Sequence, residues 1–197
     1  LESKLRRALD ERQFMLHYQP KVESRTGRIV GLEGLLRWND PNGELIPLNQ
    51  FIPVLEETGM ILGVGSWVLR QAMTDLRRLR AGGFPPLRIS VNVSAMQMRQ
   101  KDFPGYVAAA IGGRSTSGLD IEITESVLME DIERHIDALR KVRKMGIGVA
   151  LDDFGTGYSS LSYVARLPVN TLKIDRSFVA DMTGSPEKLA IVSAIIS

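Results

Sequence analysis

Five short apolar runs in this chain each carry a polar residue where a buried strand would be apolar throughout. They are Leu32-Glu33-Gly34-Leu35, Val91-Asn92-Val93, Ile121-Glu122-Ile123, Leu151-Asp152-Asp153 and Leu172-Lys173-Ile174. A parallel sheet covered on both faces reads as near-continuous apolar runs. A carboxylate in such a run is costly unless it is paired or bound to a metal. One interruption is compatible with a satisfied polar group in a core. Five of them at successive strand ends point to one converging site. The chemistry is uniform: carboxylates at Glu33, Glu122, Asp152 and Asp153, an amide at Asn92, and a single cation at Lys173.

The surrounding pattern sets the fold class. Residues 14–22 and 29–38 read as strands joined through Ser24-Arg25-Thr26-Gly27, close enough for a hairpin with Gly27 in the turn. Helical spacing follows over 48–57 and 64–80, and Gly82-Gly83 stops the second helix. From there strands and helices alternate. Strands are expected over 87–94, 119–124, 147–153 and 171–175. Helices are expected over 102–111, 131–145 and 187–197, with a short helical stretch at 160–167. Ser185 and Pro186 suit the start of the closing helix. Strands alternating with helices imply an α/β fold on a parallel sheet. An open doubly wound sheet gathers its functional residues at one switch point. A (β/α)8 TIM barrel draws them from several strand ends, as here. Six strands are countable, so the barrel is expected to lack its last two strands within residues 1–197, read as one domain.

Composition excludes several classes. The chain has 197 residues, no cysteine and a formal net charge of only +2. Disulfides, thiolate zinc sites and cysteine nucleophiles are therefore ruled out. The arginines and lysines are scattered on helix-like segments, without the concentrated basic face of a nucleic-acid groove. No apolar run approaches the roughly 18–20 residues that span a bilayer, and the start LESKLRRALDERQF is amphipathic, unlike a signal peptide. The expected setting is cytoplasmic. His17 and His135 lie on different elements and lack zinc-site spacing. Glu33, Asn92, Glu122, Asp152 and Asp153 instead supply the hard oxygen donors that select Mg²⁺, Mn²⁺ or Ca²⁺. Adjacent Asp152 and Asp153 suggest bridging of two ions about 3.5–4 Å apart, an arrangement suited to phosphoryl displacement. The competing reading is a purely structural set of carboxylates salt-bridged to Lys173.

The string Asp152-Asp153-Phe154-Gly155-Thr156-Gly157-Tyr158-Ser159-Ser160 contains a DFG triplet, but no other kinase signature accompanies it. It also lacks the third glycine of a dinucleotide fingerprint and the lysine of a P-loop. What remains is a loop leaving a strand that holds two acids, suited to ordering over a substrate.

Several strings occur together in one order: Tyr18-Gln19-Pro20, Glu33-Gly34-Leu35-Leu36-Arg37-Trp38, Ser90-Val91-Asn92-Val93-Ser94, Glu122-Ile123-Thr124-Glu125-Ser126, the Asp152 string above and Leu172-Lys173-Ile174-Asp175. In that order the chain resembles the EAL domain family, which contains bacterial phosphodiesterases for cyclic di-GMP. The resemblance covers essentially the whole chain and implies a modified TIM barrel whose first strand runs antiparallel. It implies that Glu33, Asn92, Glu122, Asp152 and Asp153 hold Mg²⁺ or Mn²⁺, as two ions, and that Lys173 orients the attacking water. Glu33 and Asp152 would thus join Lys173 in catalysis. Arg37 and Gln19 would contact the substrate beside Asp153, and Glu125 would brace the loop after Asp153. The product would be linear pGpG. A homodimer and an upstream GGDEF or sensory domain are further implications of the resemblance.

Two departures are visible. Gly34 stands where the family signature carries alanine, and it removes no ligand. The family's last metal-binding glutamate and a downstream glutamine find no counterpart in these residues. A receptor that binds cyclic di-GMP without cleaving it is therefore the alternative function. A third is an unrelated Mg²⁺ barrel acting on another phosphoester or an enolisable acid.

Overall fold

The computed structural model of the protein describes residues 1–113, 115–156, 166–180 and 182–196. Helix α1 (Glu2–Asp10) leads into strands β1 (Phe14–Val22) and β2 (Ile29–Asn39), followed by the two-residue β3 (Leu45–Ile46). Helices α2 (Leu48–Glu57) and α3 (Ile61–Ala81) precede β4 (Arg88–Asn92), α4 (Ala95–Met98) and α5 (Phe103–Ile111). Then come β5 (Leu119–Thr124), α6 (Glu125–Met129), α7 (Ile132–Lys144), β6 (Gly148–Phe154) and β7 (Thr171–Ile174). A short helix Arg176–Val179 and the helix Pro186–Ile196 end the described chain. Most of the expected helical stretch 160–167 lies outside the described residues, as do loop residues 157–160 and Ser197 of the closing helix.

All the strands join one sheet in the order β1-β2-β4-β5-β6-β7, with β3 paired to β2. β1 runs antiparallel to β2, and every later pairing along the path is parallel. Alternation explains the layers. Ile89, Val91, Leu119, Ile121, Ile123, Val149 and Leu151 project to one face and are buried, as β-branched and leucine side chains under a helical layer should be. α3 lays Val68, Leu69, Ala72, Met73 and Leu76 into the core. An aromatic group of Phe14, Trp38, Phe51 and Trp67, with ring centroids 5.6–6.4 Å apart, fixes the hairpin to α2 and α3.

The other face carries the polar residues, and it is strongly curled. Adjacent strands lie about 4.8 Å apart, so four steps from β2 to β7 would cover roughly 19 Å in a flat sheet. A lysine and a glutamate together reach only roughly 10 Å. Yet Lys173 on β7 hydrogen-bonds Glu33 on β2 at 3.1 Å. The sheet must therefore wrap round its polar face, as a barrel does and an open doubly wound sheet does not.

Element boundaries differ from sequence expectation where side chains cap. The strand expected over 87–94 ends at Asn92, because Ser94 turns out to cap α4 in a reciprocal box with Gln97. α6 starts directly on Glu125, where helical periodicity is too short to read. Among the described residues no single helix is long and apolar enough to cross a membrane; α2 and α3 together have the composition but bend by 118° and bury their apolar residues in the core.

Candidate active site

Strand polarity puts the C-terminal ends of β2, β4, β5, β6 and β7 at one rim, and four of the five polar interruptions meet there around the fifth. Lys173 Nζ donates to Glu33 Oε2 at 3.1 Å, to Glu122 Oε2 at 2.5 Å and to Asp152 Oδ2 at 2.7 Å. Carboxylate oxygens of Glu33, Glu122 and Asp152 all lie within 4.8 Å of one another. Asn92 donates from Nδ2 to Glu33 Oε1 at 3.2 Å. Three hard oxygens from three strands, already converging on an ammonium, form a donor set suited to a divalent cation.

A β-bulge explains how two successive acids reach the rim. Leu151 pairs with Leu172 and Phe154 with Ile174, so Asp152 and Asp153 together oppose Lys173. An extra residue of this kind re-aims side chains, and such bulges recur beside active sites. Asp153 takes the strain: its φ is +53°, which aspartate tolerates better than most residues. Its N–H donates to Asp152 Oδ1 at 2.9 Å. Asp153 is exposed and stands outside the three-carboxylate group.

The electrostatics follow from this packing. Burial pushes the Glu122 carboxyl up, but hydrogen bonds from Lys173, Lys21 and Ser90 outweigh it and hold the group below its ordinary value. Burial likewise disfavours the Lys173 ammonium, and Asp152 and Glu122 overcome it, so its pKa is raised and it stays protonated at neutral pH. It can donate hydrogen bonds there but not act as a base. Asp153 is pushed up by partial burial and by the neighbouring charges of Asp152 and Asp175.

Three other residues singled out from the sequence surround this centre. Glu125 is buried at the start of α6, and its Oε2 accepts the Gly155 N–H at 2.8 Å. Phe178 closes over the same turn: a Cβ on Gly155, whose φ is +101°, would lie 2.8 Å from its ring. Gln19 is exposed and pairs opposite Glu33 across the hairpin. Arg37 shares a face of β2 with Glu33, four residues on, and its Nη1 donates to Leu36 O at 2.8 Å. A cleft of about 270 Å³ adjoins the rim, lined by Leu35, Asn92, Ser94 and Thr124 with Ile52 and Glu56 of α2. A larger apolar concavity of about 690 Å³ lies at the other end of the strands, beside Ile29, Phe84 and Leu87, away from the carboxylates.

Lys21 is the residue that sequence reasoning missed. Its Nζ donates to Glu122 Oε1 at 2.5 Å and to Ser90 Oγ at 2.6 Å. The available signal was its spacing of two from Gln19, which places both on one face of β1.

Comparison with known proteins agrees with this geometry. The EAL domain family model matches residues 2–197.

The chain belongs to the EAL domain family.

Its fold is the modified TIM barrel of that family, entered through an antiparallel first strand. Among relatives in Pseudomonas aeruginosa, the bifunctional diguanylate cyclase/cyclic di-GMP phosphodiesterase MucR is 44% identical over 195 residues, which is 98% of this chain and 28% of MucR. The cyclic di-GMP phosphodiesterase NbdA is 40% identical over 199 residues, covering all of this chain and 25% of NbdA. The chain thus spans about a quarter of the length of these curated relatives. Among solved structures, the PaMucR phosphodiesterase in complex with c-di-GMP superposes with a TM-score of 0.91 at 43% identity, over 98% of this chain and 79% of that one. The EAL signature itself reads Glu33-Gly34-Leu35 here.

Proposed function

We propose that this EAL domain hydrolyses cyclic di-GMP to linear pGpG with Mg²⁺ or Mn²⁺, the chemistry being shared by two ions as the paired acids on the bulge suggest. The observation that carries the reading is the convergence of Glu33, Glu122 and Asp152 on one point at the strand ends. Glu33, Asn92, Glu122, Asp152 and Asp153 would hold the ions. When bound, such ions supply Lewis acidity at the phosphate and lower the pKa of water. For the carboxylates to accept a cation, the Lys173 ammonium moves aside on its flexible four-carbon stem.

The remaining work falls to the chain's own groups. Water attacks one phosphorus, a P–O bond to water forms, the P–O3′ bond breaks, and the proton the water gives up passes, directly or through solvent, to the released 3′ oxygen. The Lys173 ammonium, moved aside from the carboxylates, donates a hydrogen bond that orients the attacking water. The guanidinium of Arg37 pairs with a substrate phosphate through its fixed fork, and Gln19 contacts the nucleotide. Glu125 holds the Gly155 turn, which keeps Asp153 facing the substrate.

Attachment to a further signalling domain is part of the same proposal, since MucR combines two activities in one longer protein. A homodimer is proposed on the family resemblance, and a cytoplasmic setting on the composition of the chain. The test is incubation of the protein with cyclic di-GMP and Mg²⁺ or Mn²⁺, followed by chromatography. Linear product that disappears in Glu33→Ala supports the enzyme. Binding without turnover makes the domain a receptor, and no binding removes cyclic di-GMP from the account.

A further inference from the structure

Lys21 has no part in the chemistry set out above, yet it grips the most deeply buried carboxylate of the cluster. We propose that Lys21 determines metal specificity: by occupying Glu122 Oε1 it leaves that glutamate one oxygen for a cation, and so disfavours Ca²⁺ relative to Mn²⁺ and Mg²⁺. The inference rests on the metal-site reading above.

Geometry carries the argument. β1 and β5 are three strand steps apart, roughly 14 Å in a flat sheet, and only the curl of the sheet lets Lys21 reach Glu122 at 2.5 Å. Ser90 Oγ, 2.6 Å from the same Nζ, anchors the ammonium in place. The Glu122 side chain has no exposure to solvent, so it cannot rotate out to water. Its two oxygens are therefore divided: Oε1 faces Lys21, and Oε2 faces the point shared with Glu33 and Asp152. Ca²⁺ takes six to eight oxygens and often binds a carboxylate through both, whereas Mg²⁺ demands a compact octahedron. Restricting the central glutamate to one oxygen suits the smaller ions and denies Ca²⁺ a ligand.

Lys21 acts through Glu122 and is a positioning residue. Its positive charge also repels every divalent ion alike, so its loss tightens all of them together. The distinguishing quantity is therefore the ratio of Ca²⁺ to Mn²⁺ affinity. A general loosening of the barrel weakens both ions and leaves that ratio where it was.

The experiment titrates the protein with Mn²⁺ by electron paramagnetic resonance of the free ion, then displaces it with Ca²⁺. Lys21→Met should move the affinity ratio toward Ca²⁺ by about tenfold, the scale on which partners behind a metal ligand act. Lys21→Arg, which keeps the charge and the donors, should retain the wild-type ratio. A folded Lys21→Met protein with an unchanged ratio, or an arginine variant shifted equally, overturns the proposal. If circular dichroism shows that Lys21→Met does not fold, Ser90→Ala takes its place. It removes the anchor of the ammonium and should shift the ratio the same way by a smaller factor; no shift there overturns the proposal too. Wild-type protein that binds no Mn²⁺ overturns the metal-site reading itself, a failure distinct from that of Lys21 alone.

Discussion

Replacing Lys173 by methionine removes the one cation shared by three carboxylates while keeping a stem of similar length. Breaking a buried ion pair by deleting one partner costs about 3–5 kcal/mol. Here the lysine side chain is 26% exposed, Glu33 and Asp152 are each 17% exposed, and Lys21 still pairs with Glu122. Water and the second lysine offset part of the loss, so about 2–3 kcal/mol is expected, at or just below the lower bound of that range. The stranded carboxylates can also relieve their repulsion by binding a proton. Like-charge repulsion among them is greatest when all are ionised, so the deficit is larger at about pH 8 than at about pH 5. A divalent ion relieves the same repulsion, and a ligand that binds only the folded state stabilises by RT ln(1 + [L]/Kd). Urea unfolding of wild type and Lys173→Met, in EDTA and in Mn²⁺, measures both effects. Mn²⁺ should restore more stability to the variant than it adds to wild type. A variant within about 0.5 kcal/mol of wild type in EDTA, the usual range for an inconsequential surface change, would show that Lys173 does not hold the three carboxylates together.

Three further outcomes follow from the same geometry. A Cβ at Gly34 would lie 3.3 Å from Val91 Cγ1 and 3.4 Å from Ser90 O, and this crowding offsets alanine's backbone advantage, so Gly34→Ala should change urea stability by less than about 1 kcal/mol. Glu125→Ala leaves the Gly155 N–H without its carboxylate acceptor and should slow cyclic di-GMP turnover by about ten- to a hundredfold, a scale reached by small misplacements of reacting groups; Glu125→Gln, which keeps an acceptor, should lose less. The Glu122 pKa is depressed, so its stabilisation is complete above the ordinary value of 4.5 and is lost as pH falls through the folded value. Urea stability of wild type should therefore fall more steeply in acid than that of Glu122→Gln.

Much of this architecture is legible in the residues, because period-2 alternation and glycine punctuation are local. The strand Leu119–Thr124 coincides with expectation, and the hairpin around Gly27 is where the turn chemistry puts it. Convergence of Glu33, Glu122, Asp152 and Lys173 was legible only as a repeated exception to burial. Their mutual distances depend on the curl of the sheet, which no local spacing encodes. Lys21 escaped notice for a related reason: a lysine on a half-exposed first strand looks like ordinary alternation until the curl carries it across to Ser90 and Glu122. The bulge at Asp152 and Asp153 was hidden as well, since an unpaired residue becomes visible only against the register of β7. The short helices α4 and α6 have a single turn or little more, too few residues for a periodic signal.

On the proposed function, Glu33, Glu122 and Asp152 coordinate a catalytic divalent ion. Anomalous diffraction from crystals of the protein grown with Mn²⁺ tests it most directly. A manganese peak bonded to oxygens of all three side chains is expected, with Lys173 displaced from its present contacts. Full Mn²⁺ occupancy elsewhere, with the Lys173 ammonium still seated among the three carboxylates, would contradict it.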